Sequence, residues 1–432
     1  MNPKRPSLSE ICVYGGKQAD EFVGIRYVDG DLKVYFPYGY SKPADEEKEY
    51  RRDILNLISV LSAYSRESQN VDKNFQINED EVQFPIHAYI HVFDYFLNFG
   101  YYVENESIYK RASSGKINWS RTVKQMRPCI AGEYPNESVV YLDFITRKSC
   151  NDENEMITQI HKYCVYESYE KIGCLFGYVR PEKPAIVFNE KLFVTLLQSK
   201  ISKTFNERHL LLFQNMLNII RYIGKRNDLR KAFFGTKDFE YVWEGLIDSV
   251  FGIEASEKKK YYPHCSWKIH GKRDPGEIRD EKRTALRPDT IMLLNDDIFI
   301  LDAKYYQYGE DGTNRESQRN AQNLPGTGSI VKQIAYAEFI EARQQGLSRE
   351  YPQGKIFNAF VMPYATCRKV LENYALENVG FASCDWRDVG EEKTYDKIYG
   401  ILLDVRSLMY HHPKKSGSDI VALAKTINSS VI

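Results

Sequence analysis

The stretch "LRPDTIMLLNDDIFILDAKYY", Leu286 to Tyr306, decides how the second half of this chain is read. Two apolar runs, "TIMLL" and "IFIL", flank a polar turn around Asn295 to Asp297, the pattern of an antiparallel hairpin. Asp289 heads the first run, and Asp302 and Lys304 close the second. Side chains two apart on a strand share a face, so Asp302 and Lys304 point one way and Ala303 the other. Folding at the turn returns Asp289 to the neighbourhood of Asp302. A buried carboxylate without a partner is expensive, and two together more so. A bound dication removes that cost, and hard oxygen ligands of this kind suit Mg²⁺, which is usually held by one or two carboxylates plus water.

Around this hairpin the pattern alternates between strand and helix. Upstream, "DFEYVWEGLIDSVFG" reads as a helix capped by Asp238 and stopped by Gly252, and it carries Glu240 and Glu244. Downstream come a polar glycine-bearing loop and the helix "SIVKQIAYAEFIEARQQ". The strands "KIFNAFVMPY", "VGFASCDW" and "IYGILLDVRSLM" follow. Helices flanking a mixed sheet predict an α/β domain over residues 229–432.

The first half has a different character. "FVGIRYVDGDLKVYFP" is a β-hairpin signal around Asp29-Gly30, giving an N-terminal β element over residues 1–45. From Glu46 helical periodicity dominates: "EEKEYRRDILNLISVLSAYS", "FPIHAYIHVFDYFLNFG", Asn154 to about Ile172, and "RHLLLFQNMLNIIRYIG". Residues 46–228 therefore read as a mainly helical domain, with a boundary in the polar stretch "KRNDLRKAFFGTKD".

Composition excludes several classes. Formal net charge is zero, so nucleic-acid contact must come from local patches. The eight cysteines are scattered and form no C-x-x-C pair, which fits reduced thiols in a cytoplasmic protein. No signal peptide and no long apolar span is present, so no membrane partner is expected. His264, Cys265 and His270 are badly spaced for zinc, and His87 with His91 lacks a third ligand. "GGKQADEF" and "PGTGSIVK" both miss the spacing of a phosphate-cradling loop, so the chain itself should not hydrolyse a nucleotide. Between Ser256 and Asp289, Lys258, Lys259, Lys260, Lys268, Lys272, Arg273, Arg279, Lys282, Arg283 and Arg287 suggest a basic surface for phosphates.

"RPD" followed by "LDAK" is similar to the PD-(D/E)xK nuclease signature, with Asp in the middle acidic position. The helix with Gln333 and Tyr336 resembles the Gln-plus-Tyr helix of the McrC branch, and "GKINWSRTV" resembles the LlaJI restriction endonuclease family of McrC-like proteins. The resemblance implies a restriction-endonuclease-like fold and a Mg²⁺-dependent endodeoxyribonuclease, in which Mn²⁺ substitutes. Asp289, Asp302, the Ala303 carbonyl and Glu244 would hold the metal, with Glu240 as rival to Glu244. Lys304 would orient or deprotonate the attacking water, and Gln333 would assist. It also implies double-stranded DNA as substrate and a separate McrB-like AAA+ GTPase as partner, so that GTP acts only through that subunit. The first half is then a docking module, for which Trp119 and Met126 are suitable, or a DNA reader using Arg121, Lys124 and Arg127. A stand-alone Type II enzyme and a non-catalytic adaptor with a nuclease-like fold are the alternatives.

Overall fold

The computed structural model describes residues 7–15, 21–28, 31–44, 46–68, 82–132, 138–151, 155–176, 180–224, 231–270, 278–306, 308, 323–346, 350–364, 376–387, 393–412 and 415–428. By packing, the chain falls into two compact units, residues 1–82 with 231–432, and residues 83–230.

The first unit is mixed α/β. Its main sheet runs in the order Thr290–Leu294, Asp297–Ala303, Ile356–Tyr364, Ile398–Asp404, Leu376–Ala382. The outer pairs are antiparallel and the two central pairings parallel. The hairpin expected from "TIMLLNDDIFIL" is present: Leu294 pairs with Asp297, and Asn295 takes a positive φ of 53°, the left-handed conformation that a two-residue turn demands. Ile298 and Ile300 face one way and pack on Tyr336, Ala337 and Ile340 of the helix Thr327–Gln344. Phe299, on the opposite face, stacks on Phe357 at 5.0 Å. The sheet is thus covered where its sequence is continuously apolar, as parallel strands require.

A second sheet in this unit runs Cys12–Val13, Asp31–Tyr35, Val23–Val28, Lys231–Thr236, Val82–Gln83. It corrects the expected division at 45/46 and 228. Lys231–Thr236, the end of the supposed boundary stretch, is a strand that pairs antiparallel with Val23–Val28, so the N-terminal β element is completed by residues from the second half. Close pairing there depends on two glycines: a Cβ on Gly24 or Gly235 would fall 2.2 Å from the opposing carbonyl oxygen of Phe234 or Val23. The helix Glu47–Ser68 also belongs to this unit, held by Asp53, whose Oδ1 accepts from Arg406 Nε at 3.1 Å and from the Tyr410 hydroxyl at 2.6 Å. The Asp29-Gly30 turn and the boundary near 228 lie outside the described residues.

Two local expectations change. Asp238 occupies the cap position of the helix Phe239–Phe251 but its carboxylate caps nothing; its N–H donates to Thr236 Oγ1 at 3.0 Å. "DVRSLM", read as strand, is the helix Val405–His411, because Asp404 accepts from Ser407 N at 2.8 Å and so caps it.

The second unit is mainly helical, with Ile86–Phe99, Met156–Ile172, Glu190–Lys203 and Glu207–Gly224 around a core that includes Tyr89, Phe93, Ile160 and Phe213. Two antiparallel strand pairs accompany them, Asn105–Ala112 with Phe144–Asn151, and Cys129–Ala131 with Ser138–Val140. Among the described residues no helix is long and apolar enough to cross a membrane.

Candidate active site

The hairpin register assembles the site. Thr290 pairs with Leu301, so Asp289 and Asp302 fall at the next step outward. Asp289 Oδ2 accepts the Ala303 N–H at 3.0 Å, which fixes the carboxylate over the end of the neighbouring strand. Asp302 continues the face of Ile298 and Ile300, is 2% exposed, and pairs with Lys304 Nζ at 2.5 Å. The Lys304 backbone is itself held in the sheet, its N–H donating to the Val361 carbonyl at 2.9 Å. That same carbonyl accepts from Trp243 Nε1 at 3.3 Å. The buried Trp243 thereby sets the height of its helix, and Glu244 follows it in sequence.

Electrostatics tie these groups together. Burial pushes the Asp289 carboxyl up to about 7, and the negative charges of Asp302 and Glu244 push it the same way, against the Ala303 N–H and Lys304. Glu244, half-buried, is also raised, first by desolvation and then by Glu240 and Asp302, while Lys304 and Lys332 oppose. Burial works to lower Lys304, but its bond to Asp302 and the charges of Asp302 and Asp289 hold it above the usual lysine range. Glu240 is exposed, whereas half-buried Glu244 shifts the Asp289 carboxyl through its charge.

Gln333 and Tyr336 lie on the buried stripe of their helix, three residues apart and both fully covered. The Tyr336 hydroxyl donates to the Arg287 carbonyl at 2.8 Å and so clamps the approach to Pro288 and Asp289; burial, Asp289 and Asp302 all raise its pKa. Gln333 keeps both amide atoms buried without a hydrogen-bond partner among the described residues. Such a group costs roughly 1–3 kcal/mol unless something else satisfies it.

Two contributors escaped sequence reasoning. Lys258, read as one of the DNA-facing cations, is 7% exposed and points inward: it donates to the Asp289 carbonyl oxygen, and to Asp248 Oδ1 at 2.8 Å. Nothing in the run Lys258-Lys259-Lys260 distinguishes the buried member. Lys332, beside Gln333, lies with its Nζ 5.6 Å from the centre of the Tyr336 ring and acts on Glu244 through its charge.

Among the described residues no three His, Cys, Asp or Glu side chains are close enough to cage a metal. A hard cation would instead be met by two carboxylates, Asp289 and Asp302, with main-chain oxygen and water completing its shell. The donor chemistry fits. The Asp289 carboxyl is raised first by burial and then by the charges of Asp302 and Glu244, both of which a bound cation would offset.

Three comparisons bear on the chain. A relative from Bacillus subtilis (strain 168), "Type II restriction enzyme BsuMI component YdjA", is 25% identical over 427 residues, covering 95% of this chain and 84% of the relative. A solved assembly of Thermococcus gammatolerans McrB AAA+ hexamers with bound McrC contains a chain 13% identical, matched over 95% of this chain and 83% of that one with a TM-score of 0.33. The family model for LlaJI restriction endonuclease matches residues 22–389, and the chain belongs to that family.

Proposed function

We propose that this chain is the nuclease component of a restriction system, a Mg²⁺-dependent endodeoxyribonuclease that cuts double-stranded DNA and accepts Mn²⁺ in place of Mg²⁺. The observation that carries the reading is the pairing of half-buried Asp289 with buried Asp302, answered by Lys304 at one strand end, in a member of a restriction endonuclease family. The domain is then read as a restriction-endonuclease-like PD-(D/E)xK fold. Asp289, Asp302 and the Ala303 carbonyl would hold the cation, and Glu244 would add its negative charge to the site. When bound, such an ion supplies water of lowered pKa and charge stabilisation at the phosphate. Lys304, positioned by Asp302 and its strand, donates to the attacking water and to the oxygen on which charge develops. Gln333, three residues before Tyr336 on the same helix, has two buried polar atoms without a partner among the described residues, suited to orienting water or a phosphate oxygen. The test is plasmid cleavage with Mg²⁺: Asp302→Ala should abolish it while leaving the circular dichroism spectrum unchanged, and equal cleavage by both proteins would sink the assignment.

A second subunit completes the reading: an AAA+ GTPase of McrB type, which would bring GTP hydrolysis that this chain lacks the phosphate-binding loop to perform. The word "component" in the relative's name supports a divided enzyme. In residues 83–230 Trp119, Val123, Ile130, Val139 and Leu142 are all exposed, an apolar set suited to docking. The words "Type II restriction enzyme" in the same name favour a second reading, cleavage without a motor. DNA cutting by the chain alone, without GTP, would select it. Loss of GTPase stimulation in the full-length Trp119→Ala, Ile130→Asp variant would select the first.

A further inference from the structure

A two-stranded ribbon, His264–His270 with Ile278–Ala285, stands apart from both sheets of its unit. All seven residues of its first strand are exposed. Trp267 is 74% exposed and Ile269 43%, unusual for side chains of this size on both counts. Alternation puts Trp267 and Ile269 on one face and Lys268 and His270 on the other. A bulge between Cys265 and Trp267 breaks the register, the kind of irregularity that twists a ribbon and re-aims a side chain.

The ribbon is anchored beside the carboxylates. Leu286 N–H donates to the Pro263 carbonyl at 2.9 Å and closes its base. From Ala285 the chain runs through exposed Leu286 and Arg287 to Asp289, four residues and at most about 14 Å of extended chain. Residues 264–287 contain seven Lys or Arg against four Asp or Glu, an excess of positive charge in a chain that is neutral as a whole.

We infer that this ribbon is a DNA-contacting arm that lies in a groove of the duplex whose backbone is presented to Asp289 and Asp302. A two-stranded ribbon fits the major groove, whose width is about 12 Å. Trp267 and Ile269 rest on the groove floor, where apolar groups can meet base edges and thymine methyls, and Lys268 reaches a phosphate. The inference deepens the nuclease reading and rests on it for the direction in which DNA lies. It adds an element that grips DNA without taking part in the chemistry.

The test is binding of a fluorescein-labelled mixed-sequence duplex to the full chain in EDTA, followed by anisotropy over a range of salt. Cleavage cannot occur there, so the result is independent of whether Asp302→Ala abolishes it. Trp267→Ala should weaken binding about tenfold with its salt slope unchanged. Lys268→Ala should reduce the slope of log K against log salt by about one. Both sites are exposed, so thermal unfolding should match the parent. Parental affinity and slope in both variants would overturn the inference, as would a parent that fails to bind duplex at low salt. A change of oligomeric state with unaltered DNA binding would also overturn it, making the ribbon a contact between copies of the chain.

Discussion

At the scale of single residues, the cluster separates into groups that hold charge and groups that place it. Asp289 is raised to about 7 by burial and like charge, so the folded, metal-free protein binds a proton there that the unfolded chain releases near pH 3.8. The stabilisation from that proton is present below about pH 4 and is lost as pH rises through about 7. Metal-free Asp289→Asn should accordingly be more stable than the parent at about pH 8, by ~2 kcal/mol after allowing for partial solvent screening. Urea denaturation at pH 5 and pH 8 checks this, and the gain should shrink at the lower pH. Metal affinity should follow the opposite course and climb as Asp289 loses its proton. Lys304→Ala should keep metal binding, measured by calorimetry, while losing most of the cleavage rate. A collapse of metal affinity instead would reassign Lys304 from chemistry to ligand positioning.

At the scale of elements, the site depends on how helices are fastened to the sheet. Trp243 and Tyr336 hydrogen-bond to main-chain oxygens of Val361 and Arg287, so each helix is referenced to backbone rather than to another mobile side chain. The helix Glu47–Ser68 is secured by the fully buried Asp53, answered by Arg406 and Tyr410. Burial raises the pKa of Asp53 even though both partners act to lower it, which shows how much desolvation this carboxylate bears. Among the described residues Asp53→Ala leaves Arg406 an ion pair only with Glu49, at 3.6 Å, and should cost about 3 kcal/mol in urea denaturation. Asp53→Asn, which keeps a hydrogen-bond acceptor, should cost less.

At the scale of the whole molecule, the interleaving of residues 1–82 with 231–432 governs which fragments can exist. A fragment from Met1 to Gly224 lacks Lys231–Thr236 and exposes the edge of Val23–Val28, so it should aggregate or unfold in its first part. Residues 83–230 carry their own core and should unfold cooperatively when expressed alone, as followed by circular dichroism. That fragment should be sensitive to acid. His161 is fully buried, its Nδ1 accepting the Tyr102 N–H at 2.8 Å, and burial lowers its pKa to about 3. The unfolded histidine takes up a proton below about 6.5, so stability present above that pH falls as pH drops towards 3, by roughly 3 kcal/mol at about pH 4. His161→Gln should flatten this dependence, and an unchanged slope would assign the acid sensitivity to other groups.

The sequence by itself determined the hairpin, the shared face of Asp302 and Lys304, and the return of Asp289 to Asp302. Each follows from a period of two and a short polar turn. It also marked most helices of both units, because their apolar stripes and glycine stops are local. It could not decide between Glu240 and Glu244, which are one turn apart on one helix; only the packing of Trp243 against the sheet put Glu244 inward and left Glu240 in solvent. Nor could it tell buried Lys258 from its two neighbours, since burial is conferred by Asp248 and the Asp289 carbonyl, distant in sequence. The pairing of Val23–Val28 with Lys231–Thr236, some two hundred residues away, left no local trace, because a strand edge carries no label for its partner. Local periodicity wrote the elements, and long-range packing chose which of their charged groups face one another.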